Sequence, residues 1–410
     1  MTDPTFPLGP EVLDPARRAL GRGLCAECFG RLFGRMGHGL TNPERAARIA
    51  EALGPLPPTT ACPVCEGAFD RIPVWVERCE AAGVEYEWQR FSCGSRWEPE
   101  TLAREESLWL EVGTSGGESV RSAFNRELGK RLEAASGSEG APDRPDVVFL
   151  ADLPVGRVDL TVMPVYFLGR YRKLDRSLPQ TRWPCRACGG IGCDRCSGTG
   201  KTYPTSVEEL VAEPFLRATG GEGTRFHGMG REDIDARMLG RGRPFVLEIR
   251  RPKRRTVVLA DIVAEVNRDA KDRVEVLEMT LAEAADVVRV KEASPLKSYR
   301  VGVAGVVAVA KINEALTFAT TRAIAQRTPR RVAPRRADRV RTRRIVAASL
   351  VEATEGRFTL ELRAEAGTYI KEWVEGDDGR TDPSLSLLLG APLTVEFLDV
   401  IEIHDDPKGE

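Results

Sequence analysis

Eight of the ten cysteines fall into four C-x-x-C pairs, and that spacing constrains the chain more than any other feature. Cys25 and Cys28 form the first pair, Cys62 and Cys65 the second; Cys185, Cys188, Cys193 and Cys196 follow within twelve residues. A two-residue gap lets one tight turn aim both sulfurs at a single ion, and two such turns complete a tetrahedron. The 33 residues between the first two pairs exceed ordinary zinc-ribbon spacing, but a loop carrying a helix closes that distance. Asn42 reads as its cap, Pro43 as its first helical position and Gly54 as its stop. The second cluster is CRACGGIG followed by CDRCSGTG, whose glycines allow the positive φ that turns around a metal require. A redox reading is weaker, because neither early pair sits in a thioredoxin-like βαβ context. A phosphate loop at CSGTGKT fails because Arg195 stands where that motif needs glycine. Neither cluster leaves a coordination position open, so both read as closed, structural zinc sites, two in all. Cys79 and Cys93 read as buried thiols.

Four hundred and ten residues suggest two or three domains. With 42% apolar and 30% charged residues, disordered and fibrous classes are excluded. Sixty basic against 61 acidic residues leave a net charge of −1, so any nucleic-acid role must come from local segregation of charge. That segregation exists in Arg250–Arg255 and, above all, in Gln326–Arg344, where nine arginines meet the single acid Asp338. Such a run repels itself unless a polyanion or facing carboxylates neutralise it, and arginine favours bidentate phosphate contact. No apolar run reaches the ~18 residues of a membrane helix, and no signal peptide is recognisable at the start. A cytoplasmic protein without an obligate protein partner is expected. With only His38, His227 and His404, triad hydrolysis and multi-histidine metal chemistry are disfavoured, leaving carboxylates, lysine and tyrosine.

Alternating segments at Val84–Phe91 and Leu108–Val112 predict strands, and Val120–Glu133 a helix. DVVFLADL and RVDLTVMPVYFLG predict a buried sheet. Beyond the insert Thr181–Gly200, strand-like runs (Phe245–Ile249, Val288–Lys291, Val301–Ala310, Arg343–Leu350, Phe358–Ala364, Leu393–His404) alternate with helical ones (Ser206–Ala218, Leu259–Asp269, Ala282–Val287). The fold class is α+β, with one large domain on an extended mixed sheet.

The densest unusual stretch is His227–Phe245, where glycines 228, 230, 240 and 242 permit close backbone approach and arginines 231, 237, 241 and 243 frame Asp233 and Asp235. The run GREDIDARMLGRGRPFVLEI, with AGTYIKEWVEGDDGRTDPSLSLLLG, closely resembles the archaeal-type tRNA pseudouridine synthases acting on uridines 54 and 55 of the TΨC arm. RPDVVFLADLPVGRVDLTVMPVYFLGRYRKLDRSLPQTRWPC, SVEEL and QRTPRRVAPRRADRVRTRR support the resemblance, which extends from the first cysteine pair to the C-terminus.

The resemblance implies an N-terminal zinc module over 1–75, a THUMP-like RNA-binding α/β domain over 76–163, and a pseudouridine-synthase domain over 164–410. The last carries a mostly antiparallel sheet and a four-cysteine insert at 181–203. It implies a catalytic aspartate at Asp233, a base-packing aromatic at Tyr299, and a basic partner for the aspartate at Lys371 beside Ile370. It also implies a covering leucine, Leu398, with Leu388 as competitor. Arg231, Arg330, Arg331, Arg335 and Arg336 are the expected contacts to tRNA. Isomerisation transfers no group and needs no redox change, so no catalytic cofactor is called for. A carboxylate kept ionised by a nearby cation suffices, with the target base extruded and stacked. Asp235 reads as a cap or as pairing with a neighbouring arginine, His227 as contacting RNA or structure, and Ser298 has no role. A non-catalytic zinc-containing tRNA-binding or folding factor is the alternative; a zinc chaperone fits poorly, since its repeat normally recurs several times.

Overall fold

The computed structural model describes residues 6–59, 61–333 and 336–404. They divide into two units, one of residues 1–164 with Arg251–Arg255, the other of 165–250 and 256–410. Among the described residues no helix is long and apolar enough to cross a membrane.

In the first unit the helices are α1 (Pro10–Ala19), α2 (Ala26–Gly30), α3 (Asn42–Leu53), α4 (Ile72–Gly83), α5 (Pro99–Val112) and α6 (Val120–Ser136). The strands β1 (Arg90–Arg96), β2 (Glu139–Gly140), β3 (Val147–Asp152) and β4 (Arg157–Val162) form a sheet of order β2-β1-β3-β4. Residues expected as separate zinc and THUMP-like domains share one apolar core here, running from Val12 through Cys28, Cys65 and Phe124 to Val162. The helix between the cysteine pairs starts one residue earlier than expected. Thr41 is its cap, closing a reciprocal capping box with Glu44, and Asn42 is already helical.

Leu108–Val112 is helical, not extended. The buried positions Thr101, Glu105, Leu108 and Val112 recur at helical spacing, which a five-residue window cannot show. Val84, expected in a strand, is exposed, and pairing begins only at Arg90. Of the basic run Arg250–Arg255, the part that belongs to this unit meets acids of the same unit. Lys253 pairs with Glu85 at 2.8 Å and Arg255 with the buried Asp146 at 3.5 Å.

The second unit is built on a ten-stranded sheet. Its strands are β5 (Val165–Lys173), β6 (Gly223–Gly228), β7 (Arg237–Arg250), β8 (Val274–Ala282), β9 (Lys297–Ala304), β10 (Ala323–Arg327), β11 (Val340–Thr354), β12 (Arg357–Ala364), β13 (Thr381–Asp382) and β14 (Thr394–Ile403). The order is β13-β10-β11-β12-β9-β14-β7-β5-β8, with β6 also on β7. All pairings are antiparallel except β14–β7, which is parallel and limited to Asp399–Arg237 and Val400–Met238. Helices α7 (Val207–Thr219), α8 (Leu259–Asp269), α9 (Ala284–Glu292), α10 (Val309–Thr321), α11 (Ile370–Glu375) and α12 (Leu385–Leu389) complete the unit. Val288–Lys291 lies in α9 instead of a strand, with only Val290 buried, and β9 ends at Ala304 before the exposed Val306.

Two strands share one edge of β7: β6 along 245–250 and β14 along 237–238, while β5 takes the other edge. The loop 229–236 joins β6 to β7 and ends where the parallel β14–β7 pairing links the two antiparallel halves of the sheet. Just inside β7 the strand bulges at Gly240 and Gly242. A Cβ on Gly240, at φ +57°, would come within 2.0 Å of the Ile401 carbonyl oxygen, so only glycine fits there.

Candidate active site

The backbone of the loop 229–236 is held from below. Lys173, fully buried at the end of β5, donates Nζ to the carbonyls of Leu178 (2.9 Å), Asp233 (3.2 Å) and Ile234 (2.6 Å). Gln180 donates to the Gly230 carbonyl at 3.0 Å, Arg243 to that of Met229 at 2.7 Å, and Arg176 to that of Asp235 at 2.9 Å. Glu232 points inward to a buried ion pair with Arg243 (2.8 Å) and accepts from the Tyr171 hydroxyl at 3.0 Å. Lys297 lies next to this pair; burial and the Arg243 charge push its ammonium down to about 7, against the opposing pull of Glu232. The loop therefore has its main chain fixed and its alternate carboxylates, Asp233 and Asp235, turned outward.

Those two carboxylates meet two cations from distant segments. Arg331 Nη1 donates to Asp233 Oδ1 at 2.7 Å, while its Nε and Nη2 fork onto Glu372 in the first turn of α11. Although burial opposes it, Glu372 and Asp233 hold the Arg331 guanidinium well above its ordinary range. Lys371 Nζ lies 2.6 Å from Asp235 and 3.9 Å from Asp233. Burial raises the Asp235 carboxyl, but the Lys371 ammonium outweighs it and holds the group below its usual range. Lys371 does stand beside Asp233, as expected, yet its short contact is to Asp235, and the short contact of Asp233 is to Arg331. Asp235 pairs with a lysine where a capping role or a neighbouring arginine was expected.

Tyr299, on β9, is 7% exposed. Its phenol is pushed up to about 12 by burial, with Arg243 opposing and the Asp233 charge adding to the rise, so it lies within electrostatic reach of that carboxylate. Ile370 and Leu398 belong to the same buried apolar cluster as Tyr299. Arg176 bridges the carbonyls of Asp235 and Leu398, tying β14 to the aspartate loop. Leu388, on α12, packs half-buried against this cluster without such a tie.

The arginine-rich stretch forms the β10–β11 hairpin and its loop, and carboxylates face much of it. Arg330 pairs with Asp378, Arg327 and Arg380 with Asp338, and Arg331 with Asp233 and Glu372. Arg336 donates to the Tyr369 hydroxyl at 3.2 Å, and Arg231 is exposed on the aspartate loop. Arg335 lies outside the described residues. His227 is bonded to Glu248 at 2.9 Å, and Ser298 to His404 at 2.9 Å.

Several contributors went unread in the sequence, among them Lys173, Arg176, Gln180, Glu232, Lys297, Gln326 and Glu372. The buried Gln326 accepts from the Tyr369 N–H and donates to its carbonyl, both at 2.9 Å, clamping the residue before α11. A signal existed for Glu232 alone, as a third acid among the arginines of GREDIDAR.

Both cysteine quartets converge. In each, all four sulfurs lie within 4.8 Å of one another. The Cys25–Cys65, Cys188–Cys196 and Cys193–Cys196 separations are 3.6, 3.9 and 3.8 Å. Those values match the ~3.8 Å edge of a tetrahedron with metal–sulfur bonds of about 2.3 Å. The second quartet also receives backbone N–H donors. Against the effect of burial, Cys193 and Gly200 amides pull the Cys196 thiol down to about 6, favouring the thiolate a metal binds. At Gly200 (φ +66°) a Cβ would strike the Gly190 carbonyl oxygen at 2.2 Å, so the hairpin closes only on glycine. Both donor sets fit a divalent metal ion.

With this geometry in place, comparison with known proteins decides the family. Residues 166–404 match the model described as "Pus10, C-terminal", and 75–152 that described as "Pus10 THUMP domain, archaeal". The chain belongs to the Pus10 family. A relative from Methanopyrus kandleri, named tRNA pseudouridine synthase Pus10, is 39% identical over 96% of this chain and 99% of its own. One of the same name from Halorubrum lacusprofundi is 40% identical over 97% of each. Among solved structures, a Cbf5-Nop10-Gar1 complex covers 57% of this chain and 58% of that chain, at 16% identity and a TM-score of 0.31.

Proposed function

We propose that this chain is a tRNA pseudouridine synthase that isomerises uridine 54, uridine 55 or both in the TΨC arm, with Asp233 as the catalytic carboxylate. The observation that carries the reading is the aspartate loop itself. Its main chain is fixed by buried donors, while Asp233 faces outward beside two cations. Family membership supports the activity, because relatives matched over nearly their full length are named for it.

The reaction breaks the N1–C1′ glycosidic bond of an extruded uridine, turns the freed uracil and joins its C5 to the same ribose carbon; the C5 proton then leaves and N1 takes one up. Atoms are conserved and electrons balance within the nucleotide. Asp233 supplies the charged oxygen this needs, and a fixed charge placed in advance requires little reorganisation when the bond breaks. Tyr299, Ile370 and Leu398 give the uracil an apolar seat, and Lys371 supplies a second cation. Arg231, Arg330 and Arg336 are exposed at the loops around the site and would take phosphates, setting register without reading bases. Residues 1–75 hold zinc through Cys25, Cys28, Cys62 and Cys65, and residues 76–163 bind RNA. A second zinc on Cys185, Cys188, Cys193 and Cys196 within 164–410 stiffens the insert at 181–203. Both ions are structural, and neither enters the reaction. The cytoplasm, where thiols stay reduced, suits these ligands.

The test uses the purified protein with an unmodified tRNA transcript and its U54C and U55C variants, mapping pseudouridine with a carbodiimide. Product confined to positions 54 and 55 is expected. Tight tRNA binding with no product in any transcript would instead favour a non-catalytic folding factor.

A further inference from the structure

Arg331 stands apart from the other arginines of its loop. Arg330 reaches outward to Asp378, an exposed pair at the surface. Arg331 turns inward and joins two carboxylates from distant segments, Asp233 on the aspartate loop and Glu372 on α11. The Glu372 side chain is 8% exposed, so it cannot rely on water as a substitute counter-charge. If Arg331 left to grip a phosphate, Glu372 would stay buried without its partner, and Asp233 would lose its one short contact to a cation among the described residues. Lys371 does not fill that place: its ammonium lies 3.9 Å from Asp233 and is engaged at 2.6 Å by Asp235. A planar guanidinium held from both sides fixes the direction of a carboxylate, which a rotating ammonium does not.

We propose that Arg331 is the positioning residue for Asp233, that Glu372 holds the guanidinium in place, and that gripping tRNA phosphate is not its role. The inference rests on the assignment of Asp233 as the catalytic carboxylate. Its consequence is a division of labour within one loop, Arg330 and Arg336 outward to RNA and Arg331 inward to chemistry.

The experiment compares wild type with Arg331→Ala, Arg331→Lys, Glu372→Gln and Asp233→Asn, all as full chains. It measures the single-turnover rate at saturating unmodified tRNA, and the Kd at several salt concentrations. Misaligning a reacting group by about 1 Å costs on the order of 100-fold. Arg331→Ala should lose about that much rate, and Glu372→Gln about tenfold. Arg331→Lys should recover only part, because one ammonium cannot bridge both carboxylates. Kd should stay within about twofold of wild type, with the salt dependence unchanged. If Arg331→Ala keeps the wild-type rate at saturation but binds more weakly, with the salt slope reduced by about one charge, it is a phosphate contact and the inference falls. Should Arg331→Ala fail to fold, as a thermal melt would show, the two conservative variants decide, and wild-type rates in both overturn the proposal. An active Asp233→Asn would sink the underlying assignment. An inactive one, alongside unimpaired Arg331 and Glu372 variants, would sink this inference alone.

Discussion

The loop 229–236 has two sides, and they are held by different physics. Beneath it, Lys173, Gln180, Glu232 and Arg243 form a buried polar layer that acts mainly on main-chain carbonyls, with the ammonium of Lys297 lodged next to it. Above it, Asp233 and Asp235 meet Arg331 and Lys371 through side chains that remain partly exposed. The buried layer decides where the loop is, and a polar layer with so little water tolerates no missing member. The outer layer decides how the carboxylates are charged and aimed, and its partial exposure lets substrate approach them. Placement and chemistry are thereby separated on two faces of eight residues.

This contrast can be broken most forcefully from below. Glu232→Gln leaves the buried Arg243 without its counter-charge, and breaking such a pair costs about 3–5 kcal/mol. We expect that loss in urea unfolding of the second unit, with isomerase activity falling in parallel. A variant as stable as wild type would show that the inner layer does not hold the loop.

Lys297 gives a smaller effect of opposite sign. Its ammonium is favoured in the unfolded chain, at 10.5, over the fold, at about 7. Between those values the unfolded state binds more protons, so this residue makes stability rise with pH from about 7 to about 10.5. Below pH 7 both states are protonated and the fold carries the whole penalty. Lys297→Met should therefore stabilise by about 1–2 kcal/mol at pH 6, with the gain fading toward pH 10. Unfolding followed at three pH values checks it, and a gain independent of pH would mean that Lys297 is not held as a strained cation.

The outer face was legible in the sequence because it consists of residues whose chemistry is conspicuous: two aspartates among arginines, GTYIKE, and a run of nine arginines. The inner face was not. Lys173 lies in RYRKLDR and Arg243 in RGRP, where they look like any surface cation, and nothing local says that β5 and β7 bury them. Strand periodicity locates most of the large sheet, but over the four or five residues of Leu108–Val112 and Val288–Lys291 it does not distinguish a strand from a helix. Helical spacing emerges only over longer stretches, as the buried Thr101, Glu105, Leu108 and Val112 show. The arginine run also carried too simple a message. Composition could count its charge, but only the fold brings Asp233, Glu372 and Asp378 to face it.

The most direct measurement is a single-turnover isomerisation assay of Asp233→Asn beside Asp235→Asn, at saturating unmodified tRNA, with binding followed on the same samples. The expected result is no pseudouridine from Asp233→Asn despite wild-type affinity, and most of the wild-type rate from Asp235→Asn. Product from Asp233→Asn, or complete loss confined to Asp235→Asn, would contradict the account.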